Sequence, residues 1–189
     1  RVAGRPGQVS RLAADELLAT DVGSCFHPAF SGETIPGLEA ALLRCRQLGL
    51  SANLEIKPAA GFEVETGKVV GGVLAAAHSA GLPPLLLSSF SAQALEAAAL
   101  DVEALPRAFL ATRFDAQALA TARRLACVSL NLGRCDLQAA HVAAVRDAGL
   151  RTMVYTVNSP EEARRLAGWG VSGVFSDRPE LLLPDCSIP

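Results

Sequence analysis

The chain has 189 residues, half of them apolar, and a mean hydropathy of +0.30, so it can bury a sizeable core and is not a disordered segment. Its formal net charge is −2 and its isoelectric point about 5.9, without any Lys/Arg run, which argues against nucleic acid as a partner. The longest apolar stretches, 73–77 and 85–87, fall far short of the roughly 20 residues that span a bilayer.

The opening Arg-Val-Ala-Gly-Arg-Pro-Gly is polar and Gly/Pro-rich, unlike a signal peptide, and lacks an initiator Met, so it is not expected to be the natural start. Residues 1–35 make a poor strand–helix unit; only 13–18 look helical there, with Asp15 and Glu16 early. A helix is expected over 37–48. From about residue 53 a pattern repeats: a short apolar strand-like run, then an Ala/Leu-rich helical run, often closed by Gly. The strands are expected at 53–57, 84–88, 108–112, 127–131, 152–157 and 173–176, and the helices at 69–80, 92–101, 116–125, 138–148 and 160–167. Val142, Val145 and Ala148 recur at helical offsets, and Gly81, Gly149 and Gly170 stand where left-handed caps are wanted. Ser159-Pro160-Glu161-Glu162 combines an N-cap, a first-turn proline and two acids near the positive end of the helix dipole.

Strands that are apolar on both faces and alternate with helices imply a parallel sheet under helical cover. The even spacing of roughly 20 to 30 residues favours a TIM (β/α)8 barrel, of which this chain supplies about six strand–helix units in one incomplete domain, 1–189. The first two strands are then missing, about 50 to 60 residues at about 25 per unit. Residues 1–35 read as the remainder of an insertion after the second strand.

The most informative run is Asn53-Leu54-Glu55-Ile56-Lys57-Pro58. On a strand, Glu55 and Lys57 share one face while Leu54 and Ile56 take the other. If that strand is buried, both charges must be paired or ligated. Glu55 is a hard oxygen ligand suited to Mg²⁺ or Ca²⁺, though it needs partners, and Lys57 is a point charge suited to a phosphate oxygen. In a barrel the site lies at the C-terminal strand ends, which here carry Glu55 and Lys57, Ser88-Ser89-Phe90, Thr112, Asn131, Tyr155-Thr156-Val157-Asn158 and Ser176-Asp177-Arg178. Phe90 and Tyr155 either wall a pocket or serve as core; Asn158 either meets substrate or shapes its turn; Asp177 is read as a cap or local ion-pair partner. His27, His78 and His141 lie away from the strand ends and read as structural. There is no P-loop, Rossmann fingerprint or GxSxG. The five cysteines (Cys25, Cys45, Cys127, Cys135, Cys186) are odd in number without a CxxC pair, which predicts a reducing, cytoplasmic location and no zinc site, with Cys45, Cys127 and Cys135 as buried thiols.

Taken in order, Phe30–Glu39, Asn53–Pro58, Leu87–Ser91, Tyr155–Asn158 and Trp169–Pro179 resemble the glycerophosphodiester phosphodiesterase family, bacterial cytosolic type, along nearly the whole chain. The resemblance implies a TIM barrel that hydrolyses glycerophosphodiesters to glycerol 3-phosphate and an alcohol with a divalent cation. Carried over by position, Glu55 is a metal ligand, Lys57 a phosphate contact, and Phe90 and Tyr155 pocket walls; where the family usually has Trp, this chain has Tyr155. The family's catalytic histidines, an Arg and two further metal-binding acids come from its first two strands, and their motifs are absent here. The 189 residues alone are therefore expected to be inactive and to bind metal poorly. The alternatives are a phosphate-binding remnant without chemistry and, more weakly, a sugar-phosphate isomerase barrel.

Overall fold

The computed structural model describes residues 3–4, 7–77 and 81–182. A 3-10 turn and a short helix, α1 (Ala14–Leu18), lead to a second 3-10 turn, Pro28–Phe30. Asp21 ties this segment together. Its carboxylate accepts from Ser24 N at 2.9 Å, Ser24 Oγ at 2.7 Å and Gly32 N at 3.0 Å, and these donors hold its pKa down at about 2.

The regular part then alternates: α2 (Leu38–Gln47), β1 (Ala52–Glu55), α3 (Glu63–Ala77), β2 (Leu85–Ser89), α4 (Ala92–Ala99), β3 (Arg107–Ala111), α5 (Ala116–Arg124), β4 (Ser129–Gly133), α6 (Ala139–Asp147), β5 (Arg151–Tyr155), α7 (Pro160–Gly168), β6 (Gly173–Val174) and α8 (Pro179–Leu182). Among the described residues six strands pair in parallel and in chain order, β1 to β6, with helices between them. This is the curled, TIM-barrel-like sheet expected from the spacing.

Several local signals act as expected. Ser159 caps α7 by accepting from Glu162 N, with Pro160 opening the helix. Ser91 and Asp115 cap α4 and α5 in the same way. Gly81, Gly149 and Gly170 take φ of +81°, +80° and +92°. Element ends differ by a few residues. β1 stops at Glu55 rather than Lys57, although Ile56 N still donates to Ser88 O at 2.7 Å; Pro58 then removes a donor and restricts Lys57. β4 runs to Gly133, so Asn131 lies inside a strand and is fully buried, not at its exit. The helix expected at 69–80 begins at Glu63, with Glu63 and Glu65 in its first turn; its last expected residues, 78–80 with His78, lie outside the described residues, as does Cys186. Of the expected buried thiols, Cys127 is buried, with its pKa pushed up to about 11 by desolvation; Cys45 is half-buried and Cys135 exposed.

Registered partners in a parallel sheet project to the same face. One face therefore carries Leu54, Leu87, Leu130, Leu132 and Val154, which pack with Leu74, Leu95, Ala98, Val142, Val145 and Leu166 from the helices in the core. The other, inner face carries Asn53, Glu55, Leu86, Ser88, Ala108, Leu110, Ser129, Asn131, Met153 and Tyr155. It is a polar layer: Ser129 Oγ donates to Asn131 Oδ1 at 2.9 Å.

α3 lies so close to α4 that two of its glycines have no room for a side chain. A Cβ on Gly67 would stand 2.4 Å from Ala94 O and one on Gly71 2.8 Å from Ala98 O, whereas Gly72, on the same helix, faces open space. The helix propensity gained by Gly→Ala, about 1 kcal/mol, is thus available at one position and overridden at the other. Gly72→Ala is expected to stabilise by about 0.4–1 kcal/mol, and Gly67→Ala to destabilise by about 1–3 kcal/mol through overpacking; urea unfolding of both variants checks the opposite signs.

Candidate active site

β1 has a strand neighbour on one side only among the described residues, so the inner face of its C-terminal end is open. Glu55 and Lys57 project there and both are exposed. This corrects the expectation of a buried pair: water reaches both charges, so neither needs the other for compensation. They nevertheless share one cavity of about 630 Å³ with Pro58, Ala60, Glu63, Phe90 and the start of α4 at Ala92 and Gln93.

A second cavity of about 200 Å³ lies on the lumen side, lined by Asn53, Glu55, Phe90, Leu110, Tyr155, Thr156 and Phe175. Glu55 and Phe90 line both, and Phe90 also lines a third cavity of about 430 Å³ beside β3 and the start of α5. Phe90 meets Tyr155 edge-to-face, with ring centroids 5.9 Å apart and planes at 83°. The Tyr155 hydroxyl donates to Ala111 O at 2.8 Å, which fixes the ring against β3. Burial pushes the phenol above the ordinary tyrosine value, and the nearby Glu55 carboxylate adds to the shift.

The structure therefore gathers Glu55, Phe90 and Tyr155 at one rim, with Lys57 lining the larger cavity and not the smaller one that Tyr155 lines. Asn158 Oδ1 accepts from Ser176 Oγ and Asp177 N, both at 2.9 Å, which shapes the loop after β6, and Asn158 lines neither of these cavities. Arg178 pairs with Glu180. His27 caps the second 3-10 turn, and His141 closes a capping box on α6 while stacked on Phe114, so these two histidines are structural. Sequence reasoning missed Phe175 and Glu63. Phe175 has the parity of an inner-face residue after β6; Glu63 precedes the expected helix 69–80 and stands instead in the first turn of α3.

A divalent ion is not accounted for by these side chains alone. Glu55 offers a carboxylate, but among the described residues no group of three or more His, Cys, Asp or Glu could hold a metal.

A parallel curled sheet with helices between its strands, carrying an acidic and a basic side chain beside an aromatic wall at its C-terminal rim, defines a TIM-barrel-like protein. The sequence matches the glycerophosphoryl diester phosphodiesterase family over residues 1–181, and the chain belongs to that family. Protein YhdW of Bacillus subtilis (strain 168), provisionally named a glycerophosphodiester phosphodiesterase, is 28% identical over 191 residues, covering 98% of this chain and 76% of that protein. A phosphodiesterase from Oleispira antarctica, solved in complex with the product sn-glycerol-3-phosphate, superposes with a TM-score of 0.85 at 27% identity, covering 95% of this chain and 72% of that one. A glycerophosphodiester phosphodiesterase from Agrobacterium tumefaciens shares the fold, with a TM-score of 0.69 at 21% identity and coverage of 96% and 75%.

Tyr155 is the sole tyrosine of the sequence, so its phenolate absorbance reports on this rim directly. Its titration midpoint is expected above the ordinary value of about 10 and is expected to fall in Glu55→Gln, which removes the smaller of the two causes. An unchanged midpoint would separate the two side chains. Because the folded pKa is raised, the associated stability is complete below the unfolded value and is lost as pH rises through the folded one.

Proposed function

We propose that the protein containing this chain hydrolyses glycerophosphodiesters to glycerol 3-phosphate and an alcohol, using a divalent cation, Mg²⁺ or Ca²⁺. The observation that carries this reading is the convergence of Glu55 and Lys57 with Phe90 at one cavity mouth, with Glu55 and Phe90 continuing onto Tyr155 in the next. Lys57 neutralises charge on the phosphate in the transition state. Glu55 serves as one metal ligand. Phe90 and Tyr155 hold the organic part of the substrate and keep bulk water from it. When bound, the cation would supply further charge neutralisation at the phosphate.

The remaining ligands and the acid–base groups are proposed to lie on barrel strands beyond these 189 residues, with 1–35 belonging to an insertion that follows the second strand. The product-bound Oleispira relative supports a small glycerol-phosphate ligand for the same fold. The odd cysteine count without a CxxC pair supports a cytoplasmic location. No described helix is long and apolar enough to cross a membrane.

The test is a glycerophosphocholine hydrolysis assay, with and without chelator, on this chain and on a longer protein that includes residues upstream of Arg1. Chelator-sensitive turnover is expected from the longer protein, and none from the 189 residues alone. In the longer protein, Lys57→Ala and Glu55→Gln should each lower kcat/KM by about 10²-fold or more. Turnover by the 189 residues alone would overturn the division of labour, and a chelator-insensitive rate would overturn the metal.

A further inference from the structure

Two buried polar atoms lie below the rim and line neither of the cavities above them. Ser88 and Asn131 are both 0% exposed, and neither Ser88 Oγ nor Asn131 Nδ2 has a hydrogen-bond partner among the described residues. A buried polar group left unpaired is destabilising, and two such groups in one place call for an explanation.

The register brings them together. Glu55 is in line with Ser88, Ala108, Ser129 and Arg151 across β1 to β5, yet the β5 residue that lines a cavity with Glu55 is Tyr155, four residues beyond Arg151. The strands therefore climb about one residue at each step round the sheet, the stagger of an eight-stranded barrel with a shear of about 8. By the same stagger Asn131, two residues beyond Ser129, stands level with Ser88 two strands away, in a lumen layer below Glu55 and Tyr155.

The inner-face row of Ser88, Ala108 and Ser129, in register on β2, β3 and β4, holds only small side chains. Met153, the partner of Asn131 on β5, turns toward β6 instead: its Cε and Sδ stand 2.7 and 3.0 Å from where a Cβ on Gly173 would be. The result is a small recess over Ala108. Ser129 Oγ donates to Asn131 Oδ1 at 2.9 Å, which leaves both Nδ2 protons to donate, and Ser88 Oγ can donate once and accept twice. An occupant must accept from the amide, bond to the hydroxyl and be small. It must also be neutral, since the residues that form the recess include no ionised side chain to balance a charge.

We propose that the layer of Ser88, Ser129 and Asn131 is a binding site for buried water, held between Ser88 Oγ and Asn131 Nδ2. Water has the size, the neutrality and the mixed donor and acceptor character that the recess requires. Both atoms are enclosed by residues of this chain, so the site forms with its fold. The water braces the layer beneath Glu55 and Tyr155 and takes no part in the reaction.

The experiment is urea unfolding of the full chain and of its Ser88→Ala variant, together with a crystal structure of the unsubstituted chain. The substitution removes one of the water's partners, so the folding constant is expected to fall about two- to tenfold, the worth of one hydrogen bond. Electron density for water is expected at about 2.7–3.2 Å from both atoms. A folding constant unchanged or raised in Ser88→Ala would mean that the hydroxyl was unpaired, and would overturn the proposal. So would a recess without water in the density, or a direct bond between Asn131 and Ser88. Asn131→Leu is expected to cost less in the Ser88→Ala background than in the unsubstituted chain, and equal costs would mean that the two groups share no water. The Ser88→Ala comparison and the density decide the claim even if Asn131→Leu fails to fold.

Discussion

In a parallel sheet a residue and its registered partner face the same way, and the whole arrangement rests on that constraint. Asn53 pairs with Leu86 and Glu55 with Ser88, and the same parity passes through Ala108, Ser129 and Asn131 to Met153 and Tyr155. One register thus commits Leu85, Leu87, Leu130 and Leu132 to the helical side and sends Asn53, Glu55 and Tyr155 into the lumen. A slip of one residue at β1 would exchange Glu55 for Leu54, placing a carboxylate in the core and an aliphatic side chain at the mouth. The cost of that exchange on both faces holds the register where it is.

Helix packing supports the register by fixing where β2 ends. α3 and α4 approach through Gly67 and Gly71, close enough for backbone to meet backbone. The loop from β2 into α4 is short, and Ser89 ties it down twice: its Oγ donates to Ile56 O at 2.6 Å and accepts from Ser91 N at 2.9 Å. Phe90 lies between these anchors, so its backbone is fixed from both sides while its ring lines the cavities at the rim. The same serine bonds β1 to β2 beyond the last residue of β1, which fixes the spacing between Glu55 and Phe90.

The alternation of strand and helix was legible from apolar runs and glycine punctuation because each strand core and each helix face has its own period. The family motifs located Glu55, Lys57, Phe90 and Tyr155 because they sit at strand ends. Strand exits were less legible: Asn131 looked terminal, but Leu132 and Gly133 extend β4, and both are apolar residues that sequence patterning assigns equally to a strand or to the turn after it. The start of α3 was hidden by Gly61, Gly67 and the early acids, which read as loop until close packing against α4 gives the glycines a reason. The burial of Glu55 and Lys57 was misjudged for another reason. Burial depends on which strands lie beside β1, and that is a tertiary fact that a strand's own residues do not encode.

Among the described residues β1 and β6 stand at the edges of the sheet, and the exposure of β1 bears on how these residues by themselves avoid edge-to-edge pairing. An edge strand offers unpaired backbone groups, and inward-facing charges are one of the devices that blunt it. Asn53, Glu55 and Lys57 occupy every inner-face position along β1 and its exit, so a second strand approaching that edge would have to desolvate an amide, a carboxylate and an ammonium together. At the other edge the device is brevity: β6 pairs through Met153–Gly173 and Val154–Val174 alone. The polar side chains proposed to act on the phosphate therefore have a second effect by the same physics. The hydration of Glu55 and Lys57 at the cavity mouth is what makes β1 a poor template for aggregation, so replacing them with apolar residues would remove the proposed phosphate and metal contacts and the protection of the edge together.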